Sequence, residues 1–257
     1  MNIKGFFFIV FISSASFSQN RTSLHSNSNI CNVKLDSINE TAITKNFVLG
    51  KFDYRNHELF TKANAVHASK NLYLNKKVYS TFIRMFNQAK TDGITLKIIS
   101  GTRNFDEQKA IWERKWKKYK NLEPIERAKK ILEYSSMPST SRHHWGTDID
   151  LNSFANSYFE NGQGAKAYKW LLKNANSYGF YQVYTDKTTG RTGYNLERWH
   201  WSYLPLASKY LSYYNTHVDY SDILGFKGSE LAKELHIIPN YVNGISEKSK
   251  RITYSQK

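Results

Sequence analysis

The sequence predicts an α+β fold, a small antiparallel sheet packed with several helices, and three observations carry that prediction. Apolar residues recur at helical spacing in several stretches. Short β-prone runs bounded by turn residues lie between those stretches. The helical segments alternate with these short, turn-bounded strands.

The first helix is expected over Lys77–Lys90, where Val78, Phe82, Met85, Phe86 and Ala89 fall on one face and Asp92-Gly93 is a natural stop. Ile94–Ile99 reads as a strand that delivers Ser100-Gly101-Thr102-Arg103 to its end. A second helix, about Asp106–Lys118, buries Ile111, Trp112 and Trp116. A third begins at Pro124, a residue favoured in a first helical turn, with Ile125, Ala128, Ile131 and Leu132 inward. His144–Leu151 has partial period-two character and suits a strand. Gly164–Tyr178 is helical, with Trp170, Leu171 and Leu172 inward and Gly179 as its C-cap. Phe180–Tyr184 and Glu197–Tyr203 read as two strands joined across a loop containing Gly190 and Gly193. From about residue 204 the chain is helical and basic, and it ends in a polar tail near Ser246.

Around this core, residues 1–18 have the pattern of a secretory signal. Lys4 provides the positive charge, Gly5–Phe17 the apolar stretch, and Ser16 and Ser18 the small residues before a cut ahead of Gln19. That run is too short to span a bilayer, and no other segment is apolar enough, so no membrane span is expected after cleavage. Residues 19–45, rich in Ser, Asn and Thr, read as a flexible linker. The catalytic region is placed at 46–205 and a helical C-terminal extension at 206–257. The expected location is exported, periplasmic or extracellular.

With a single cysteine, Cys31, the chain has no internal disulfide and its fold rests on its core. The formal net charge of +16 favours anionic partners. The Lys and Arg residues are spread along the chain, with no clustered basic arm, so no specific nucleic-acid recognition is expected.

The chemistry concentrates in two segments, Ser141-Arg142-His143-His144-Trp145-Gly146-Thr147-Asp148-Ile149-Asp150 and Glu197-Arg198-Trp199-His200-Trp201. A catalytic zinc takes three nitrogen or oxygen ligands from the protein and leaves a fourth position for water. Strand parity puts Asp148 and Asp150 on one face, so either can turn toward a metal. His143 belongs to the preceding turn, and His144 competes with it for the ligand role. A regular strand would put Glu197 and His200 on opposite faces, so a turn or bulge is expected there if both serve one site. Trp199 and Trp201 flank His200 and keep it partly dry, or serve only as core aromatics. Arg103 is placed to engage a carboxylate or a developing oxyanion. The simpler alternative is a salt bridge to Asp106 or Glu107.

These residues resemble the zinc D-alanyl-D-alanine carboxypeptidases and D,D-dipeptidases, the VanY-like peptidoglycan metallopeptidases. Their pattern S-x-H-x-x-G-x-A-x-D is matched by Ser141, His143, Gly146 and Asp150. The following E-x-x-H-W is matched by Glu197, His200 and Trp201, and the upstream S-G-x-R-x-x-x-x-Q by Ser100, Gly101, Arg103 and Gln108. The resemblance covers about residues 46–205. It implies His143, Asp150 and His200 as zinc ligands and Glu197 as the base that activates a metal-bound water. It further implies Arg103 near the scissile bond, Ser141 at the peptide's terminal carboxylate and Gln108 in support. The substrates implied are peptidoglycan stem peptides, cut at D-Ala-D-Ala or related bonds. L,D-carboxypeptidase, endopeptidase and non-catalytic zinc- or wall-binding readings stand as alternatives. The sequence departs from the pattern at Asp148, where the family has a small residue.

Overall fold

The structure is a computed structural model and describes residues 43–255. The signal-sequence reading, Cys31 and nearly all of the linker reading lie outside the described residues. Among the described residues, no helix is long and apolar enough to cross a membrane.

The chain enters through a short helix, α1 (Lys45–Val48), capped by Thr44, whose hydroxyl accepts from the Phe47 amide at 3.1 Å. Strands β1 (Phe60–Lys62) and β2 (Tyr73–Asn75) pair antiparallel. Asn75 then caps α2 (Lys76–Thr91), which buries Val78, Phe82, Met85 and Ala89. The next strand, β3, is shorter than its composition implies and covers Ile98–Ser100. Upstream of it the backbone bonds irregularly, the Lys97 amide donating to the Asn152 side chain.

Helix α3 (Phe105–Lys118) opens with a reciprocal capping box between Asn104 and Glu107 and buries Gln108, Trp112 and Trp116. Ile111 is only half-buried. Helix α4 (Pro124–Ile131) has its proline in the first turn. Only the later part of the expected His144–Leu151 strand is extended. Residues Arg142–Trp145 form a 3-10 turn, and β4 covers Asp148–Leu151. The turn ends at Gly146, whose φ of 68° and close approach to the Phe60 ring leave no room for a side chain.

Helix α5 (Gly162–Asn174) continues through a 3-10 turn, Ala175–Tyr178, and stops at left-handed Gly179. Trp170 and Leu171 are buried as expected, but Leu172 points outward and is 52% exposed, because it lies a quarter-turn past the packed stripe. Strands β5 (Phe180–Gln182) and β6 (His200–Tyr203) complete a four-stranded sheet in the order β3-β4-β6-β5, antiparallel throughout. This is the α+β architecture the sequence predicts.

Helix α6 (Leu204–His217) follows directly. Its Tyr210 packs on Phe47 at 5.0 Å and on Trp145 at 6.3 Å, and the Tyr214 hydroxyl donates to the Ser139 carbonyl at 3.0 Å. The segment after Ser246, polar by composition, is helical: α7 (Glu247–Ser255). Trp145 also donates from its indole to the Val48 carbonyl at 3.0 Å. The 3-10 turn that carries His143 is thus clamped from below by α1 and α6.

Candidate active site

Register on the sheet builds the site. Ser100 pairs with Asp150 across β3–β4, and Asp150 pairs with His200 across β4–β6. Two pairs along the ladder, Asp148 faces Ser202. Side chains two apart on a strand share a face, so Asp148 and Asp150 meet His200 and Ser202 on the same side.

His143 reaches this row from the 3-10 turn. Its Nε2 lies 3.3 Å from Oδ2 of Asp150, and Nδ1 of His200 lies 3.0 Å from Oδ1 of the same carboxylate. One ligand-type atom from each of His143, Asp150 and His200 falls within 4.8 Å of the others, and all three residues are buried. The far side of each ring is already engaged. Nδ1 of His143 donates to the Gly101 carbonyl at 2.9 Å, and Nε2 of His200 to Asp148 at 2.8 Å. That leaves one lone-pair nitrogen from each ring facing the Asp150 carboxylate once His200 sheds its second proton, a donor set that fits zinc.

Of the two aspartates that strand parity puts on this face, Asp150 joins the His143–His200 cluster and Asp148 lies behind His200. It is fully buried and accepts from Arg142 Nε at 3.0 Å, from Thr147 and Ser202 hydroxyls at 2.7 and 2.8 Å, and from His200. Arg142, itself buried, also donates to Ser202 at 2.7 Å. Sequence reasoning did not anticipate Arg142 or Ser202. The available signal was Ser202 two residues past His200, on the same strand face as it.

Electrostatics follows from burial. Burial works to lower the His200 pKa, but hydrogen bonds to Asp148 and Asp150 outweigh it and raise the pKa to about 9. The two aspartates go the other way: burial raises them, but Arg142 for Asp148 and His143 for Asp150 carry each well below the usual carboxylate range. Burial keeps His143 low, with Arg103 acting in the same direction.

His144 turns away from the cluster. Its Nδ1 donates to the Arg103 carbonyl at 2.7 Å and its Nε2 accepts from the Ser139 amide at 3.2 Å. Burial lowers its pKa to about 3, so it is a neutral strut.

Glu197 sits in a turn ahead of β6, not on a regular strand, and the His200 amide closes that turn onto the Glu197 carbonyl at 3.4 Å. This irregularity brings Glu197 to the same side as His200, with Oε2 3.7 Å from Nδ1. Gln182 and Tyr184 hold the Glu197 backbone from β5 and just beyond it. Burial raises the Glu197 carboxyl to about 8, partly offset by His200. Trp199 and Trp201 are both buried. Tyr184 packs tilted against the His200 ring, with centroids 4.5 Å apart.

Arg103 makes no pair with Asp106 or Glu107. Its Nε donates to Gln108 at 3.0 Å and its Nη1 to Ser100 at 2.6 Å, and Nη1 stands 4.0 Å from Asp150. Glu107 is instead occupied by Arg55, the Tyr54 hydroxyl and its own capping role. Gln108 is itself anchored by donating to the Ser136 carbonyl at 2.8 Å. Ser141 caps the 3-10 turn, accepting from the His143 amide at 3.3 Å. The structure thus brings His143, Asp150, His200, Glu197, Arg103, Gln108 and Ser141 to one cleft of about 900 Å³.

A three-residue His-Asp-His cluster with a buried carboxyl beside it, at the base of an open cleft, is the arrangement of a mononuclear metallohydrolase. The VanY family model, described as D-alanyl-D-alanine carboxypeptidase, matches residues 71–206, and the chain belongs to that family. YodJ of Bacillus subtilis (strain 168) is 32% identical over 135 residues, which cover 51% of this chain and 46% of YodJ. A D-alanyl-D-alanine carboxypeptidase of Enterococcus faecium is 30% identical over 137 residues, covering 53% of this chain and 39% of that protein. The match spans less than half the length of these curated relatives. Among solved structures, VanYB in complex with D-alanine-D-alanine is 23% identical with a TM-score of 0.48, over 63% of this chain and 92% of that one.

Proposed function

We propose that the chain is a zinc D,D-carboxypeptidase, hydrolysing D-Ala-D-Ala or related bonds of peptidoglycan stem peptides outside the cytoplasmic membrane. The observation that carries this reading is Glu197, a buried carboxyl poised 3.7 Å from the metal-facing nitrogen of His200. A purely structural metal site has no use for such a base. His143, Asp150 and His200 would hold the ion, which when bound supplies a Lewis acid and a water of lowered pKa.

The chain's own residues account for the rest. Glu197 takes the proton of the attacking water and delivers it to the leaving nitrogen as the C–N bond breaks. The burial that raises its pKa suits a group that must hold and release a proton near neutrality. Arg103, locked by Gln108 and Ser100, presents its guanidinium where negative charge develops on the carbonyl oxygen. Ser141 lines the cleft and serves the peptide's terminal carboxylate.

The test is hydrolysis of a muropeptide ending in D-Ala-D-Ala, with and without chelator. Release of D-Ala that is lost on chelation and restored by zinc supports the reading. Cleavage at another stem-peptide bond would reassign it to an L,D-carboxypeptidase or an endopeptidase. Stoichiometric zinc binding without any cleavage would leave a binding module.

A further inference from the structure

The carboxylates that line the cleft are all engaged. Glu107 is taken by Arg55 and Tyr54, Asp150 by His143 and His200, and Glu197 lies beside His200. Five cations line the same cleft. Arg55 and Arg103 are held as described, whereas among the described residues Lys70, Arg114 and Lys115 form no ion pair. A cleft wall with this surplus is complementary to an occupant carrying more negative charge than the scissile end of a peptide provides.

Lys115 is the best placed of the three. Gln108, Ile111 and Lys115 follow one another along a single face of α3, and all three line the cleft. Seven residues of helix separate Gln108 from Lys115, about 10 Å along the axis. An extended peptide advances ~3.3–3.6 Å per residue, so two residues and a reaching side chain span that distance. The Lys115 ammonium is part-buried and donates to the Ser135 hydroxyl at 2.5 Å. Two ammonium protons remain, and the Ser135 hydroxyl keeps its own proton to donate. An ammonium and a hydroxyl side by side make a cradle for one carboxylate.

We propose that Lys115 and Ser135, with Arg114 beside them, form a subsite for a second substrate carboxylate, carried on a side chain upstream of the scissile bond. In a stem peptide this selects a third residue that is a diamino diacid, such as diaminopimelate, over lysine, which brings the ammonium without the compensating carboxylate. The inference rests on the peptidase reading above and names the substrate class of that same site.

Two pentapeptides ending in D-Ala-D-Ala, differing only in diaminopimelate or lysine at the third position, test it on the zinc-loaded protein. The expected kcat/KM favours the diacid by about tenfold or more, the worth of one hydrogen-bonded charge. Lys115→Met lowers the diacid's kcat/KM and brings the ratio toward one, and Lys115→Glu inverts it. Circular dichroism and zinc content check that both variants fold. Equal rates on the two peptides overturn the proposal. So does an equal loss on both in Lys115→Met, which would place Lys115 on a group common to the two. Equilibrium binding of both peptides to zinc-loaded Glu197→Gln separates the subsite from catalysis. If neither peptide is cleaved, the peptidase reading fails. Tighter, Lys115-dependent binding of the diacid would still support the subsite, and indifferent binding would overturn it.

Discussion

Asp148 accepts a hydrogen bond from Nε2 of His200 at 2.8 Å, diagonally across the β4–β6 pair, and so turns Nδ1 toward Asp150. The departure from the family pattern at position 148 is therefore not a stray carboxylate near a metal. It is a buried group neutralised by Arg142 and satisfied by Thr147 and Ser202, and it fixes how His200 is presented.

Asp148→Asn keeps the shape but weakens the acceptor and leaves Arg142 short of a counter-charge. Zinc affinity is expected to fall ~10–100-fold, the usual cost of losing such a supporting partner. Competition with a chromophoric chelator measures it. Unchanged affinity would show that the Asp148–His200 bond does not position the ring.

Glu197→Gln should retain the fold and bind zinc at one equivalent, while hydrolysis drops by at least ~10²-fold, the contribution expected of a positioned acid–base group. Metal analysis alongside single-turnover assays separates the two effects. Near-normal turnover would remove Glu197 from the mechanism.

Stability without metal should fall as pH rises above about 6.5. The folded pKa of His200, about 9, exceeds its ordinary value near 6.5, so its stabilising contribution is complete below 6.5 and lost as pH climbs through 9. Glu197, raised from 4.5 to about 8, binds more protons when folded, so its contribution is complete below 4.5 and lost as pH climbs through 8. Asp148 and Asp150 are depressed, so their contribution is present above the ordinary carboxylate range and lost toward acid. His143 and His144, held low by burial, take up protons on unfolding and cost stability below about 6.5, so the Tm in chelator should peak near pH 6.5 and decline toward pH 9. Added zinc should flatten that decline, because its ligands bind deprotonated. A Tm in chelator that rises from pH 6 to 9 would contradict these assignments.

Gly146→Ala should destabilise by at least ~1–2 kcal/mol, the cost of a left-handed residue with a side chain, plus the overlap with the Phe60 ring. Chemical denaturation reads this directly. The same change should weaken zinc binding, since Gly146 ends the turn that delivers His143.

Gln108→Ala frees Arg103 Nε and leaves the Ser136 carbonyl without its donor. The expected signature is a fall in kcat larger than any rise in KM, with stability reduced by about 1 kcal/mol. A pure KM effect would assign Gln108 to substrate binding instead of to the support of Arg103.

The helices were legible in the sequence because their periodicity is local. The stripe in α2, the capping residues of α3 and the proline of α4 each specify an element within a few residues of themselves. Strand parity likewise put Asp148 and Asp150 on one face, and the spacing of Glu197 and His200 demanded the turn that is found. What local pattern leaves open is which groups meet across distance. Asp148 as partner to His200, Arg142 buried beneath both, and His144 as a strut to Arg103 depend on sheet register. The capture of Glu107 by Arg55 and the setting of Lys115 beside Ser135 depend instead on where helix α3 lies against segments distant in the chain. A hydrogen bond or ion pair selects its partner by position in space, and only tertiary packing sets that position. The sequence by itself determined the main helices and the candidate ligands; the folded arrangement decided which ring nitrogens face the Asp150 carboxylate and which charges the cleft leaves unpaired.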